Sequence, residues 1–519
     1  VAVVLACPQV RAQEEPAEEL EPCEIGVSEI VVTASLTEKK QFEEARCIEV
    51  IPAKKLEEKA PKSTPDALDE AVGVHVQKTN AGAGAPFIRG LVGPENLILI
   101  DGVRYNNSTF RTGPNQYLGL IDPWSIRRLE VLHGPGSVLY GSDAMGGVIN
   151  ILTLNPLVMS DRAWSLSGRL MGASAVAGGG GTLQGDYERG DYAGYLGISH
   201  NAFSEVRAAG GEVQPLSDFT RSSLRMKDRY LLSDDLVLTG ALFSTMVRDA
   251  GRVDAINRGK GRFYDNDDLM TYVRIERRPS ESWLRVARLT VSLHYMREMD
   301  RAFRCRVGSD GTVLDRQACL QEQDDTIMRR TDSEDSVLTP GFTASAEGKF
   351  WDDRLNVVLG AEGYFDFVSS SAMEAKAGTA EWKNKARGNF SDGSTYRSVG
   401  TFLRGELDAL RVADSVLSVS GGGRMTTFNA SAPDVPGMGD VLYSHAGFVG
   451  SAGMQFRKGE LLNLYADYSQ GFRAPNLQET TVMGNTGTFF EIPNGDLDPV
   501  KSNTFEVGYK LNTGFVHVY

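Results

Sequence analysis

The sequence predicts a mainly β protein: an antiparallel β-barrel that crosses a membrane, preceded by a smaller α+β domain. Three observations carry the prediction. Past Asn155-Pro156 the chain runs as repeated strands of period two, apolar or aromatic on one face and polar or charged on the other. Short and long connections alternate between those strands. The 519 residues, 56 of them glycine, contain no apolar run of the length, about 18 residues, that a helical span requires.

Alternation alone does not distinguish a barrel from a soluble sandwich, which would turn its charges outward. The connections do. Tight turns fall at 188–191, 233–235, 351–354, 412–414, 458–460 and 512–514. Long polar loops are expected near 204–219, 250–267, 301–339, 369–395, 430–443 and 474–500. That is the outer-membrane pattern of short periplasmic turns and long external loops. The net charge of −14 argues against nucleic acid as a partner.

Taken in order, residues 1–12 read as the remnant of a secretory signal, with apolar Val1 to Ala6 and a cleavage point after Ala12. Residues 13–24 are rich in Glu and Pro, unsuited to a core. A β-prone patch, Ser28-Glu29-Ile30-Val31-Val32-Thr33-Ala34, follows in polar surroundings. Ile48 to Ile51 reads as a strand, Thr64-Pro65 as a helix start, and His75 as an ordinary strand residue. Residues 86–153 are short β-branched runs broken by glycines, with Asp101-Gly102 as a strong turn signal. In the later strands, Leu289, Val291, Leu293 and Tyr295 share one face. Asn356, Glu362 and Asp366 share another, and Arg404, Glu406 and Asp408 oppose Val399, Thr401 and Leu403. Cys305 and Cys319 sit in a polar stretch at loop-disulfide spacing; Cys23 and Cys47, flanking the Val-Val-Thr patch, are a second candidate pair. No cysteine or histidine spacing suggests a metal site, and no cofactor is expected.

Several motifs in fixed order carry a family resemblance. They are Phe87-Ile88-Arg89-Gly90, Asn96-Leu97-Ile98-Leu99-Ile100-Asp101-Gly102, Ile126-Arg127-Arg128-Leu129-Glu130-Val131, His133-Gly134-Pro135-Gly136, and Gly146-Gly147-Val148-Ile149-Asn150. With Gly471-Phe472-Arg473-Ala474-Pro475-Asn476-Leu477 and Phe505-Glu506-Val507-Gly508, the chain resembles the TonB-dependent outer-membrane receptors. The resemblance implies a plug domain at 48–156 inside the lumen of a barrel at 160–519, and a periplasmic tail at 13–47. The family barrel has about 22 strands, of which about 14 or 15 can be counted here, so a C-terminally incomplete chain is expected. It further implies a monomer in the outer membrane of a Gram-negative bacterium. The partners would be lipid, an iron-chelate ligand and the periplasmic domain of TonB in the TonB-ExbB-ExbD complex.

Specific residues follow from the resemblance. Glu29, Ile30, Val31, Val32, Thr33 and Ala34 match the TonB box, an extended segment that pairs with TonB by strand addition and must stay free of the domain's own sheet. Arg104, Tyr105, Asn106, Asn107, Arg111, Asn115, Gln116 and Tyr117 form the plug apex and offer cation, hydrogen-bond and stacking groups to an anionic ferric siderophore. Arg89 and Glu506 match a plug–wall latch; where the family carries a second arginine this chain has His133, which would make the latch pH-sensitive. Residues 104–120 and 476–493 contain no histidine, which weighs against haem; cobalamin is a further alternative. A surface adhesin or signalling barrel would explain the strands but not the box. A barrel hydrolase would need more than His294, which no nucleophile motif accompanies, so no enzyme is expected.

Overall fold

A computed structural model describes residues 2–6, 30–78, 80, 82–158, 163–252, 259–280, 282–308, 313, 318–319, 326–376, 381–485, 490–513 and 517–518. The wall is built by period-two strands. Fourteen long strands run from Ser165–Ala173 to Val500–Asn512, each antiparallel to the next, and His517–Val518 begins another. Along Leu284–Cys305, Leu289, Val291 and Leu293 are 48%, 57% and 40% exposed, while Thr290, Ser292 and His294 are 3%, 7% and 3% exposed. The apolar face therefore points outward to lipid and the polar face inward. The first and last strands of this sheet are not hydrogen-bonded to each other among the described residues, so the cylinder is open along one side.

Several strands are far longer than the 9–11 residues or so that cross a bilayer. Ile327–Phe350 has 24 residues and Leu355–Lys376 has 22. Their upper parts stand clear of the membrane and turn charge outward, as in the pairs Arg297–Glu334 (2.8 Å) and Arg301–Asp265 (3.0 Å). This corrects the expected loop at 430–443. There, Ser415–Val435 and Gly439–Lys458 continue almost to each other and turn at Gly437 and Met438. Sequence polarity alone reads such a stretch as loop because lipid no longer enforces an apolar face.

The plug is a five-stranded mixed sheet in the order Ile48–Pro52, Ile126–His133, Gly147–Thr153, Asn96–Ile100, Val103–Arg104. Leu97, Leu129, Val131, Leu132, Val148, Ile149 and Ile151 are all fully buried in it. Asp101 (φ 50°) and Gly102 (φ 81°) make the tight hairpin between the last two strands. The helix expected at Thr64 is capped one residue earlier: the Ser63 N–H and hydroxyl both donate to Asp66, at 2.9 and 3.0 Å. The sheet lies inside the curve of the wall and is fastened to it by buried charge. Lys227 reaches Asp101 at 2.9 Å and Arg225 reaches Asp122 at 3.1 Å.

Residues 2–6, read as a signal remnant, form a strand along the open edge of Ser165–Ala173, with Ala2 opposite Ala173 and Ala6 opposite Arg169. An uncharged, β-branched stretch suits an edge that still presents unpaired N–H and C=O groups. Cys305 and Cys319 are bridged, closing a loop of sequence separation 14. Among the described residues Cys47 has no disulfide partner; Cys23, expected to pair with it, lies outside them.

Candidate functional site

The plug apex is shaped by the hairpin at Asp101-Gly102 and the following loop. Burial raises the Asp101 carboxyl, but the Lys227 ammonium and bonds from the Thr153 amide (2.9 Å) and hydroxyl (2.7 Å) outweigh it and hold the group below the usual carboxylate range. The eight apex residues follow, and most of them turn inward rather than toward solvent. Arg104 donates to the Asp143 carboxylate (2.9 Å) and to the carbonyls of Tyr140 (2.7 Å) and Ser142 (2.9 Å). Tyr105, fully buried, stacks on His294 at 4.8 Å and donates to Asp268 at 3.0 Å. Asn106 bonds the backbone of Asn96 and Ile98, both at 3.0 Å. Asn107 caps Thr109 at 2.9 Å.

Arg111 and Gln116 both bind Glu298 on the wall, and Arg111 also lies over the Tyr264 ring at 5.0 Å. Asn115 donates to the Arg111 carbonyl at 3.3 Å, and Tyr117 stacks on Phe110 at 4.0 Å. Six of the residues expected to face a ligand, Tyr105, Asn106, Asn107, Asn115, Gln116 and Tyr117, are buried in this structure. Their polar groups are taken up by the plug and the wall because an enclosed polar group must find a partner.

A roof closes over this apex. The helix Leu477–Thr481, capped by Asn476, begins at the last residue of the Gly471 to Leu477 motif. Asn476 donates to the Phe110 carbonyl (2.9 Å), the Gln478 amide to the Ser108 carbonyl (3.2 Å), and Arg473 holds Glu479 at 2.6 Å. Leu477 and Val482 pack with Phe390, Val337, Val368 and Val441. Beneath the roof lie two cavities. One of about 30 Å³ is edged by Arg104, Tyr364, Asp366, Tyr396 and Arg424, and one of about 20 Å³ by Arg111, Glu298, Asp335 and Phe390. Each has room for water but not for a chelate, so a larger guest enters only if the roof lifts.

The N-terminal segment is the second part of the site. Glu29 lies outside the described residues. Ile30–Val31 pairs with Lys39–Lys40, apart from the five-stranded sheet, but the segment is not free. Val31, Thr33 and Ala34 are at most 1% exposed. One oxygen of Glu130, a carboxylate with no exposed surface, accepts from the Val32 N–H (3.1 Å), the Thr33 N–H (2.9 Å) and the Thr33 hydroxyl (2.6 Å). Tyr140 donates to the Thr33 carbonyl (2.9 Å) and Asn150 to its hydroxyl (3.0 Å). The sequence reading did not single out Glu130. Its signal is a lone acid inside the β-branched run Leu129-Glu130-Val131.

On the wall side, Arg89 (φ 52°) donates to Glu506 at 2.6 Å. His133 is buried beside this pair; burial first, and then the Arg89 charge, push its imidazole below the ordinary value. The tail is held down further by Lys510, which donates to the carbonyls of Gln41 (2.6 Å) and Glu44 (2.8 Å).

Comparison with known proteins matches this geometry. Residues 40–148 fit the family model described as TonB-dependent Receptor Plug Domain, and residues 173–518 fit TonB dependent receptor-like, beta-barrel. The Rhizobactin receptor of Rhizobium meliloti is 25% identical, over 96% of this chain and 72% of its own length. The Hemin receptor of Yersinia enterocolitica is 24% identical, over 93% of this chain and 66% of its own. Among solved structures, Copper transporter OprC superposes with a TM-score of 0.70 at 15% identity, covering 90% of this chain and 70% of its own. The siderophore receptor PiuA of Acinetobacter baumannii superposes at 0.65, also at 15% identity, covering 91% and 70%.

Proposed function

Since the chain belongs to the TonB-dependent receptor family, a family of outer-membrane transporters, we propose that it carries a ferric siderophore inward across the outer membrane. The observation that carries the choice of cargo is the chamber at the plug apex. Paired guanidinium and carboxylate groups, hydroxyls and aromatic faces (Arg104 with Asp143, Arg424 with Glu362, Tyr364, Tyr396) converge there, and the apex and roof sequences hold no histidine to bind haem iron. The likeness to a rhizobactin receptor over 96% of the chain supports the same reading.

In this reading, the chelate lifts the roof and displaces contacts that run from the apex through Tyr140 to Thr33. Ile30 to Ala34 then leave Glu130 and become available to TonB, whose strand addition needs the same N–H groups that Glu130 now holds. Force on the tail opens the plug, supplying energy that the outer membrane lacks. The Arg89–Glu506 pair, with His133 beside it, acts as a latch against leak. No catalysis is assigned: His294 is bound by Asp268 at 2.8 Å and covered by Tyr105.

Growth under iron limitation on a panel of ferric chelates, comparing the intact gene with its deletion, tests the reading. Loss of growth on one or more siderophores supports it, and equal growth on all of them contradicts it. Haem is a second reading, favoured by the likeness to a hemin receptor and by the Tyr443–His445 pair (5.3 Å), whose tyrosine donates to the Pro475 carbonyl of the roof. Haemin as sole iron source separates the two.

A further inference from the structure

The charge of the chamber narrows the cargo, an inference that rests on the uptake reading. The two cavities under the roof are lined by three arginines and five carboxylates. Every one of those arginines is already paired with a lining carboxylate. Arg104 binds Asp143 at 2.9 Å, Arg111 binds Glu298, and Arg424 binds Glu362. Two carboxylates are left over. Asp366, 4% exposed, accepts from the Ser108 N–H and the Thr339 hydroxyl, both at 2.7 Å. Asp335, 9% exposed, accepts from the Ser370 hydroxyl (2.5 Å) and the Asn389 amide (2.7 Å). All four donors are neutral.

Arg387 lines neither cavity and donates to the carbonyls of Gly388, Asn389 and Thr481; its charge reaches Asp335 through space without an ion pair, so Asp366 is the carboxylate with the least compensation. The Ser108 hydroxyl, 3% exposed, lines the larger cavity and has no geometric hydrogen-bond partner among the described residues. Tyr364, Tyr396 and Phe428 line that cavity too, and aromatic faces attract cations.

An anionic guest here must break an existing arginine–carboxylate pair and also face two further carboxylates in a water-poor space. A protonated amine in the larger cavity meets Asp366 and the rings, and one in the smaller cavity meets Asp335. We propose that the cargo is a ferric chelate bearing a free ammonium group, of hydroxamate rather than tris-catecholate chemistry. This reverses the charge expected from the sequence, where the apex arginines read as free.

The test is equilibrium binding to the purified protein with three probes: the ferric complex of a linear tris-hydroxamate with an ammonium terminus, the same complex N-acetylated, and a ferric tris-catecholate. The ammonium form should bind about tenfold tighter than its acetylated twin, one unit of charge deciding the difference, with the tris-catecholate weakest. Asp366→Asn and Asp335→Asn, nearly isosteric, should each narrow that preference. A tris-catecholate that binds as tightly as the ammonium form, or a preference untouched in both variants, overturns the charge assignment while leaving uptake standing. If none of the three binds and none supports growth under iron limitation, the siderophore reading itself fails.

Discussion

Replacing Glu130 by alanine should release residues 30–34 while the rest of the plug stays folded. The wild-type carboxylate, fully buried, accepts two backbone N–H groups and one hydroxyl from Val32 and Thr33. Hydrogen bonds to a charged group contribute roughly 1.5–3 kcal/mol each, and such terms are not additive within one network. Tyr140 and Asn150 still hold Thr33 in the variant, so the loss of docking is set at about 3 kcal/mol, or about a hundredfold in the docked-to-free ratio. Arg128, the other partner of Glu130, is partly exposed and can turn to water. Hydrogen exchange resolves the effect by position. Protection of the Val32 and Thr33 amides should fall about a hundredfold, while Gly147–Thr153, deep in the sheet, should keep its protection. Unchanged exchange at Val32 and Thr33 would refute the claim that this carboxylate restrains the segment.

Other perturbations address the remaining parts. Val32→Pro removes an N–H that both Glu130 and a strand-adding partner would use, so uptake should be abolished while chelate binding persists. Arg89→Ala breaks a partly exposed ion pair of under about 1 kcal/mol, so thermal stability should barely move, yet entry of large antibiotics should rise; unchanged entry would remove the latch assignment. Lys227→Met strands Asp101 without its cation and should lower plug stability by about 3–5 kcal/mol in thermal or denaturant unfolding. The His133 imidazole is held low, so folding favours its neutral form. Its contribution is full above the unfolded value of about 6.5 and lost as pH falls from there through the depressed folded value. Antibiotic leak should therefore grow on mild acidification, and His133→Gln should flatten that dependence.

The sequence made the wall legible because a barrel wall is one strand thick. Lipid demands apolar groups at Leu289, Val291 and Leu293, and the lumen demands polar ones between them, so polarity repeats every second residue. Above the lipid that demand ends. Arg297 and Glu334 then face outward as a pair, and the strand ends dissolve into apparent loop. The Asp101-Gly102 hairpin was equally plain, because its positive φ angles restrict the residues that fit.

The apex was not legible in the same way. Its residue types suit a binding surface, but partners decide orientation, and those partners lie far along the chain. Arg111 meets Glu298, and Tyr105 meets Asp268 and His294. No local pattern announces such contacts. Asp335 and Asp366 share the lumen face with many polar neighbours, and what sets them apart is that each lining arginine pairs with a different carboxylate.

Uptake of a radio-iron siderophore by whole cells tests the account most directly, measured with and without a protonophore and with and without TonB. Cells carrying this chain should bind the chelate in every condition but accumulate it only when TonB is present and the inner membrane is energised. Equal accumulation in de-energised cells or in cells lacking TonB would contradict it.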